Sequence, residues 1–215
     1  MPGMAPANPM IISILHRFIF VAIPKTGTHA VRRALRKHMG PQDMEQVGLF
    51  VHSELPVPDL ARLGHGHISL GQLRPFMKPG EFDAYFKFAF VRNPFDRFVS
   101  YCAFVTREDG EFDRDPQKVM HELLDDPPHD HILFQPQHLM LTGPDGALLT
   151  DYVGRFEEIQ QSYDKVCEQL AIPTAILEQV NSSRRRDYRE YYDQSLTDGV
   201  AKLYARDLEL FGYDF

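Results

Sequence analysis

The sequence predicts an α/β protein with a central, mostly parallel sheet that is flanked by helices in three layers. Two compact apolar runs, residues 17–23 and 85–91, have the length of buried strands. Each run is followed at once by signals that begin a helix. Successive strand–loop–helix units are typical of a parallel sheet that is covered on both faces.

The remaining elements continue this alternation. A shorter strand is predicted at 151–156, where it feeds a helix over 157–170, and another short strand is expected just before His67. A last helix is expected from about Thr197 to Leu210. Loops are predicted where Gly, Pro and Asp concentrate, at 108–116, 125–130 and 143–146.

The composition is that of an ordinary globular protein. The 215 residues are 43% hydrophobic and 25% charged, which suits a single domain over residues 1–215. No apolar run reaches the length of a membrane span, and the first residues lack the pattern of a signal peptide. The two cysteines, Cys102 and Cys167, lie far apart and are expected to be reduced. We therefore expect a cytoplasmic protein; the sequence predicts no oligomeric state.

Charge is unevenly distributed along the chain. A net charge of −7 argues against a general nucleic-acid-binding protein. Residues 1–100 contain 12 Lys/Arg and 7 Asp/Glu, whereas residues 101–215 contain 11 and 23. A basic first half on an acidic protein indicates a local anion site, and chance clustering of surface charge is the alternative.

The segment IPKTGTH, residues 23–29, joins the first strand to a helix predicted to begin near Thr28. The N-terminus of such a helix attracts anions, and Gly27 allows the backbone a close approach. Lys25 adds a positive charge, and Thr26 and Thr28 add hydroxyl donors. The lysine precedes the glycine, so an ordinary ATP- or GTP-binding loop, G-x-x-x-x-G-K-[ST], fits poorly. The alternative is a turn whose Gly and Thr only cap the helix.

The helix after this loop is predicted to be amphipathic. Its apolar half would contain Ala30, Val31, Ala34, Leu35, His38 and Met39. Its basic half would contain Arg32, Arg33, Arg36 and Lys37. The apolar half is expected to pack on the sheet.

A second strand-to-helix junction lies at FKFAFVRNPFDRFVSY, residues 86–101. Asn93 suits an N-cap, Pro94 the first helical position and Asp96 the first turn. The apolar face would contain Phe95, Phe98, Val99 and Cys102, with Arg97 and Ser100 off that face. Arg92 follows the strand end, which is the usual ligand crevice of open α/β sheets. A surface arginine near a helix cap is the alternative.

These segments resemble those of sulfotransferases that use 3′-phosphoadenosine 5′-phosphosulfate (PAPS). IPKTGTH is similar to their phosphosulfate-binding loop, although His29 departs from the usual ending. The second junction is similar to the unit that binds the 3′-phosphate through an arginine and a serine eight residues on, here Arg92 and Ser100. Three later segments resemble the tail of carbohydrate sulfotransferases of the heparan 2-O type: 153–159, 180–193 and 203–215. The resemblance covers most of the chain and implies a P-loop-like fold.

The resemblance also implies which residues bind the donor. They are Lys25, Thr26, Gly27, Thr28, His29, Arg92, Ser100, Asn181, Ser182, Ser183 and Arg184. The last four belong to a late loop that helps to close over the nucleotide in the family. A solvated basic run is the alternative for residues 184–186.

Sulfuryl transfer, like phosphoryl transfer, needs mainly positioning and charge stabilisation. Lys25 is predicted to stabilise the leaving phosphate or to donate a proton to it. For the base, GHGHISLGQL (64–73) contains two histidines at i and i+2, which a regular strand places on one face. This segment resembles the His-Gly-His that supplies the base in heparan sulfate 2-O-sulfotransferases, so His65 and His67 are both candidates. A metal site with HDH (129–131) would need convergent ligands that the spacing does not indicate, and structural histidines are a further alternative.

These patterns predict a PAPS-dependent O-sulfotransferase that acts on a hydroxyl of a carbohydrate or glycoconjugate and needs no metal. The product of the donor would be 3′-phosphoadenosine 5′-phosphate. A P-loop kinase-like enzyme is one alternative. A non-catalytic nucleotide- or glycan-binding protein is another, and His29 favours it. The segment 135–141, QPQHLML, either lines the acceptor cleft or begins a helix.

Overall fold

The computed structural model describes residues 10–45, 60, 67–178 and 186–215. Their contacts divide the chain into two units. The first unit comprises residues 1–91 and 139–180, and the second comprises residues 92–138 and 181–215.

The first unit contains a sheet of five strands in the described part of the chain. The strands are β1 (Ile11–Ser13), β2 (Phe18–Val21), β3 (Met44–Glu45), β4 (Phe86–Val91) and β5 (Tyr152–Arg155). Their order is β3-β1-β2-β4-β5. β4 is parallel to both β2 and β5, whereas β1 is antiparallel to both β2 and β3. All strands except β1 therefore point the same way, which confirms the predicted mostly parallel sheet.

Helices follow the strands as predicted in most places. The α-helices are α1 (Thr28–Arg36), α2 (Leu70–Leu73), α3 (Glu81–Ala84), α4 (Pro94–Val105), α5 (Glu111–Arg114), α6 (Pro116–Asp125), α7 (Ile159–Leu170), α8 (Gln194–Leu203) and α9 (Ala205–Phe211). Short 3₁₀ helices lie at Arg74–Phe76, Gln137–Met140, Phe156–Glu158 and Tyr188–Tyr191.

Two local predictions were wrong, and two short strands were missed. The predicted loop at 108–116 contains the short helix α5, which begins after Gly110 with a φ of 69°. The predicted single C-terminal helix is two helices, α8 and α9, separated at Tyr204. The short strands β1 and β3 were not predicted, because two or three residues carry no recognisable alternation. The strand expected before His67 lies outside the described residues.

The core of the first unit forms where aromatic side chains of β2 and β4 meet helices. Phe20 and Phe88 have ring centroids 5.4 Å apart and are fully buried. Val31 and Leu35 of α1 and residues of α7 complete the same cluster. Burial of each such side chain stabilises the fold by roughly 1.5–3 kcal/mol. The sheet is thereby fixed against α1 and α7.

A lysine is buried within β4. The Nζ atom of Lys87 lies 2.8 Å from Asp151 Oδ2 and donates to the carbonyl oxygen of Tyr85 at 2.7 Å. It also faces the ring of Phe82 in α3, with Nζ 5.3 Å from the centroid. The buried charge is therefore compensated by one carboxylate and by backbone oxygens.

The second unit packs α4 against α6 and α8. Phe98, Cys102, Met120 and Leu196 belong to its buried cluster. Arg97, predicted to lie off the apolar face of α4, is nevertheless only 2% exposed. Its buried guanidinium is stabilised because it donates hydrogen bonds to backbone carbonyl oxygens.

Two further predictions concern the whole chain. Cys102 and Cys167 are both buried and free, as expected. Across the described ranges, no helix combines the length and the apolar character that a membrane span requires.

Candidate active site

The loop between β2 and α1 has an unusual backbone. Lys25 and Gly27 adopt left-handed conformations, with φ values of 69° and 74°. A Cβ atom on Gly27 would lie 2.6 Å from Ile159 Cδ1 and 3.0 Å from the ring of Phe156. Position 27 therefore requires glycine for two reasons, its φ angle and the packing of the loop against the segment that begins α7. A non-glycine residue with a positive φ, as at Lys25, is uncommon, and such residues are enriched at active sites and ligand clamps.

Neither threonine of the loop caps α1. Gly27 occupies the N-cap position and has no side chain to offer. The hydroxyl of Thr26 donates to the carbonyl oxygen of Ile23 at 2.9 Å. The Oγ1 atom of Thr28 is buried and has no hydrogen-bond partner among the described residues. This geometry counts against the alternative in which the threonines serve only as caps.

An unpaired buried hydroxyl is rare in proteins and calls for an explanation. Thr28 Oγ1 lies in the first turn of α1, where the helix also presents N–H groups and the positive end of its dipole. No acidic residue occupies that turn. A phosphate group would accept hydrogen bonds from these donors, so the residues present fit the predicted nucleotide.

The surroundings of His29 show how basic this end of the first unit is. Its pKa is lowered from 6.5 to about 4, first by burial and then by nearby positive charges. Those charges belong to Arg32, Arg33, Lys25 and Arg36. His29 is therefore neutral at pH 7, and the site's positive potential comes from lysine and arginine.

Arg32, which the sequence places on the basic half of α1, does not face solvent. Arg32 is buried, and its Nε atom lies 3.4 Å from Glu45 Oε1. Arg36 pairs with the other oxygen of that carboxylate, with Nε 2.6 Å from Oε2. Burial lowers the pKa of Arg32, and Glu45 opposes this effect. Glu45 in β3 thus draws part of the basic face of α1 towards the sheet.

His67 is tied to the end of β2. It is 2% exposed, and its Nδ1 atom lies 2.6 Å from the carbonyl oxygen of Ala22. The first unit therefore brings His67 together with the strand that leads into the Lys25–His29 loop. His65, Asn181, Ser182, Ser183 and Arg184 lie outside the described residues.

The second unit contains the two other described candidates, Arg92 and Ser100. Asn93 caps α4 by accepting from the N–H of Phe95 at 3.0 Å, and Pro94 occupies the first turn, as predicted. Arg92 Nε lies 2.7 Å from Asp96 Oδ2, which orients the guanidinium. Ser100 is 3% exposed on the same helix. The junction therefore places Arg92 just before the N-cap of α4 and Ser100 within that helix.

Behind this junction lies a buried polar network that the sequence interpretation did not assign. Arg97 Nη2 donates to the carbonyl oxygens of Leu133 and Gln135, at 3.0 and 2.9 Å. Burial lowers the pKa of Arg97, and nearby Tyr204 and Asp207 oppose this effect. Arg97 thus holds the segment that precedes Gln137.

Asp207 is the acidic member of this network. It is fully buried in α9, and its Oδ1 atom accepts from the N–H and from the Nδ1 of His138, at 2.9 and 2.7 Å. The only sequence signal for it is a carboxylate three residues after Tyr204 and four before Phe211, on a face that is otherwise apolar. Two alternative roles are predicted for the segment 135–141 from the sequence, but none for Gln137 or His138 individually.

Metal binding finds no support among the histidines that are described. His131 Nδ1 lies 2.7 Å from the hydroxyl of Tyr101. Within the described ranges, no group of three or more His, Cys, Asp or Glu side chains could hold a metal ion.

The two junctions leave neighbouring strands. β2 and β4 are parallel, with Val21 opposite Ala89, so their carboxyl ends lie at the same edge of the sheet. In open α/β sheets, ligands bind outside this edge. A lysine- and glycine-bearing loop begins a helix at this edge, and this defines the class: an α/β protein with a strand–loop–helix unit of the P-loop-like type.

Comparison with known proteins specifies the family. The sulfotransferase family matches residues 8–214, which is nearly the whole chain. The chain therefore belongs to the sulfotransferase family. Neither the curated proteins nor the solved structures gave a significant match.

Proposed function

We propose that this protein is a PAPS-dependent O-sulfotransferase acting on a carbohydrate or glycoconjugate. Membership of the sulfotransferase family supports the reaction class. The observation that carries the donor assignment is the buried, unpaired Thr28 Oγ1 in the first turn of α1, beside Lys25 and Gly27. We further propose that both units form one sulfotransferase domain over residues 1–215.

The donor-binding roles are divided between the two junctions. Backbone N–H groups of residues 26–28 bind the 5′-phosphate, and Lys25 stabilises the charge that develops on it. Arg92 and Ser100 bind the 3′-phosphate. This division follows the sequence resemblance of the two segments to the donor-binding segments of the family. His29 and the late loop, Asn181–Arg184, complete the proposed set.

The donor supplies the sulfuryl group and leaves as 3′-phosphoadenosine 5′-phosphate. His65 or His67 takes the proton of the acceptor hydroxyl. For His67, the contact with Ala22 supports this role, since a carbonyl oxygen can only accept and Nδ1 must carry the hydrogen. The neutral ring then keeps Nε2 as its basic nitrogen. Lys25 completes the proposed catalytic set.

The acceptor class rests on the sequence resemblance alone. A net charge of −7 disfavours a densely sulfated polyanion as the natural acceptor. Neutral sugars, polysaccharides and glycolipids fit better. A cytoplasmic location belongs to the same proposal, and cell fractionation would test it.

Two other functions make different predictions. A kinase-like enzyme would bind ATP–Mg²⁺, yet the loop lacks the lysine after the glycine on which P-loop enzymes depend. A non-catalytic protein would bind nucleotide or glycan without transfer, and the burial of His67 favours that function.

Calorimetric titration distinguishes these functions when 3′-phosphoadenosine 5′-phosphate, ATP–Mg²⁺ and neutral oligosaccharides are added separately. We expect binding of the 3′-phosphorylated nucleotide and weaker binding of ATP. Incubation with ³⁵S-labelled PAPS and a panel of acceptors should then label a carbohydrate. Binding of ATP in preference to the 3′-phosphorylated nucleotide would overturn the proposal.

A further inference from the structure

The side chain of Gln137 pairs with both backbone polar groups of Arg92. Gln137 is fully buried. Its Oε1 accepts from the N–H of Arg92 at 2.9 Å, and its Nε2 donates to the carbonyl oxygen of Arg92 at 2.8 Å. β4 ends one residue earlier, at Val91. The amide of Gln137 therefore gives Arg92 the pairing that an adjacent strand would give a residue inside the sheet.

Gln137 is itself held by Asp207. The Oδ2 atom of this buried carboxylate accepts from the N–H of Gln137 at 2.7 Å. The other oxygen binds the next residue, His138, through its backbone and its ring. The 3₁₀ turn that begins at Gln137 is thus attached to α9 by three hydrogen bonds to one carboxylate.

The residues just before Gln137 are held in the same way. The hydroxyl of Tyr204 donates to the carbonyl oxygen of Phe134 at 2.8 Å. Arg97 binds the carbonyl oxygens on either side of Phe134. Buried side chains of α4 and of the α8–α9 region therefore fix each of these carbonyl groups.

Such a network is a costly way to stabilise a fold. Burial of a guanidinium and a carboxylate carries a desolvation penalty, and apolar residues of similar volume often stabilise a core as well or better. The hydrogen bonds do, however, define one conformation of the segment that ends at Gln137. The network is therefore better explained by a need for precision at Arg92 than by stability alone.

We propose that Gln137, fixed by Asp207, is a positioning residue that sets the backbone of Arg92 for binding of the donor's 3′-phosphate. This inference rests on the proposed function. Asp96 orients the guanidinium of Arg92, while Gln137 fixes its main chain. Arg92 is thus constrained at both ends before the nucleotide binds, which lowers the entropy lost on binding.

The test uses the full-length protein with Gln137→Leu, which has a similar volume and lacks both amide groups. Gln117→Leu makes the same change at an exposed position of α6 in the same unit and serves as the control. Amide hydrogen exchange without nucleotide should become faster for the peptide that contains Arg92, in Gln137→Leu only. Affinity for 3′-phosphoadenosine 5′-phosphate should fall about tenfold, as expected for a misplaced binding group.

A double variant separates positioning from general destabilisation. If Gln137 acts through Arg92, then Arg92→Ala with Gln137→Leu should bind the nucleotide no more weakly than Arg92→Ala alone. With saturating acceptor, Gln137→Leu should also raise the KM for PAPS while kcat stays close to the wild-type value.

The outcomes distinguish the two proposals. The inference alone would be overturned if wild type binds the nucleotide and Gln137→Leu binds it with unchanged affinity. It would also be overturned if wild type binds the nucleotide and the losses in the double variant are additive. A wild-type protein that does not bind the nucleotide would overturn the proposed function and this inference with it.

Discussion

The Nδ1 atom of His67 lies 2.6 Å from the carbonyl oxygen of Ala22, the residue that follows β2. The contact connects the candidate base to the strand that carries the phosphate-type loop. It also defines the tautomer, because only the imidazole can donate to a carbonyl oxygen. In the proposed mechanism, the contact with Ala22 and the base therefore use different ring nitrogens of His67, so substitution can separate the two.

His67→Asn should abolish the catalytic role while keeping the structural one. The asparagine amide nitrogen occupies nearly the position of Nδ1 and can still donate to Ala22, but nothing replaces Nε2. We expect sulfate transfer to fall by about 10²–10⁴-fold, the usual contribution of a general base. Nucleotide affinity and thermal midpoint should stay close to wild type, whereas His67→Ala should also lower the midpoint. Normal transfer by His67→Asn would leave His65 as the remaining candidate.

Lys25→Ala should affect transfer more than nucleotide binding. If Lys25 stabilises charge that builds up on the leaving phosphate, its interaction is stronger in the transition state than in the bound complex. We expect kcat to fall by about 10²–10³-fold and affinity for 3′-phosphoadenosine 5′-phosphate by about tenfold. Lys165→Ala, at an exposed position of α7, is the matched control and should resemble wild type in both assays. A loss of affinity with unchanged kcat in Lys25→Ala would assign this lysine to binding only.

Gly27→Ala should destabilise the protein for two reasons that a second glycine can separate. Gly27 and Gly146 have similar φ values, 74° and 77°, but a Cβ would meet Ile159 and Phe156 only at position 27. Gly146→Ala should therefore show the backbone cost alone, about 1–2 kcal/mol, and Gly27→Ala should show more. Urea unfolding measures both. Gly27→Ala should also weaken nucleotide binding, because the loop must shift. If Gly27→Ala and Gly146→Ala lower the free energy of unfolding equally, crowding at Gly27 is relieved without cost.

The neutral state of His29 predicts how stability depends on pH. Its pKa in the folded protein is about 4, below the ordinary value of 6.5, so between these values the unfolded chain binds the extra proton. This contribution to stability is fully present above pH 6.5 and is lost as the pH falls towards 4. His29→Asn removes the titrating group, so wild type should lose stability relative to the variant between pH 6.5 and 4. Urea unfolding of both proteins at several pH values measures this difference, and parallel curves would contradict it.

Where sequence prediction succeeded, the signals were local. Residues Phe86–Val91 form a strand because alternate phenylalanines occupy one face, and α4 begins at Pro94 because Asn93 precedes it. The helix after the IPKTGTH loop was also predicted from a local signal. Its apolar residues recur with the period of a helix.

Where prediction failed, the missing information came from distant parts of the chain. Arg32 and Arg97 look like solvated side chains in a helical pattern. Their burial depends on Glu45 in one case and on the carbonyl oxygens of Leu133 and Gln135 in the other. No local pattern reveals such partners, because any carboxylate or backbone oxygen that the fold brings near can accept a hydrogen bond from arginine.

The amino-acid sequence alone determined the order of β2, β4 and β5 with the helices that follow them, the loop that begins α1 and membership of the sulfotransferase family, since contiguous residues carry each of these signals. Only the tertiary structure decided that Gln137 pairs with Arg92, 45 positions away, and that Asp207 holds His138 from 69 positions away. The reason is physical. A buried polar group must find a partner wherever folding places one, and that position is a property of packing rather than of neighbouring residues.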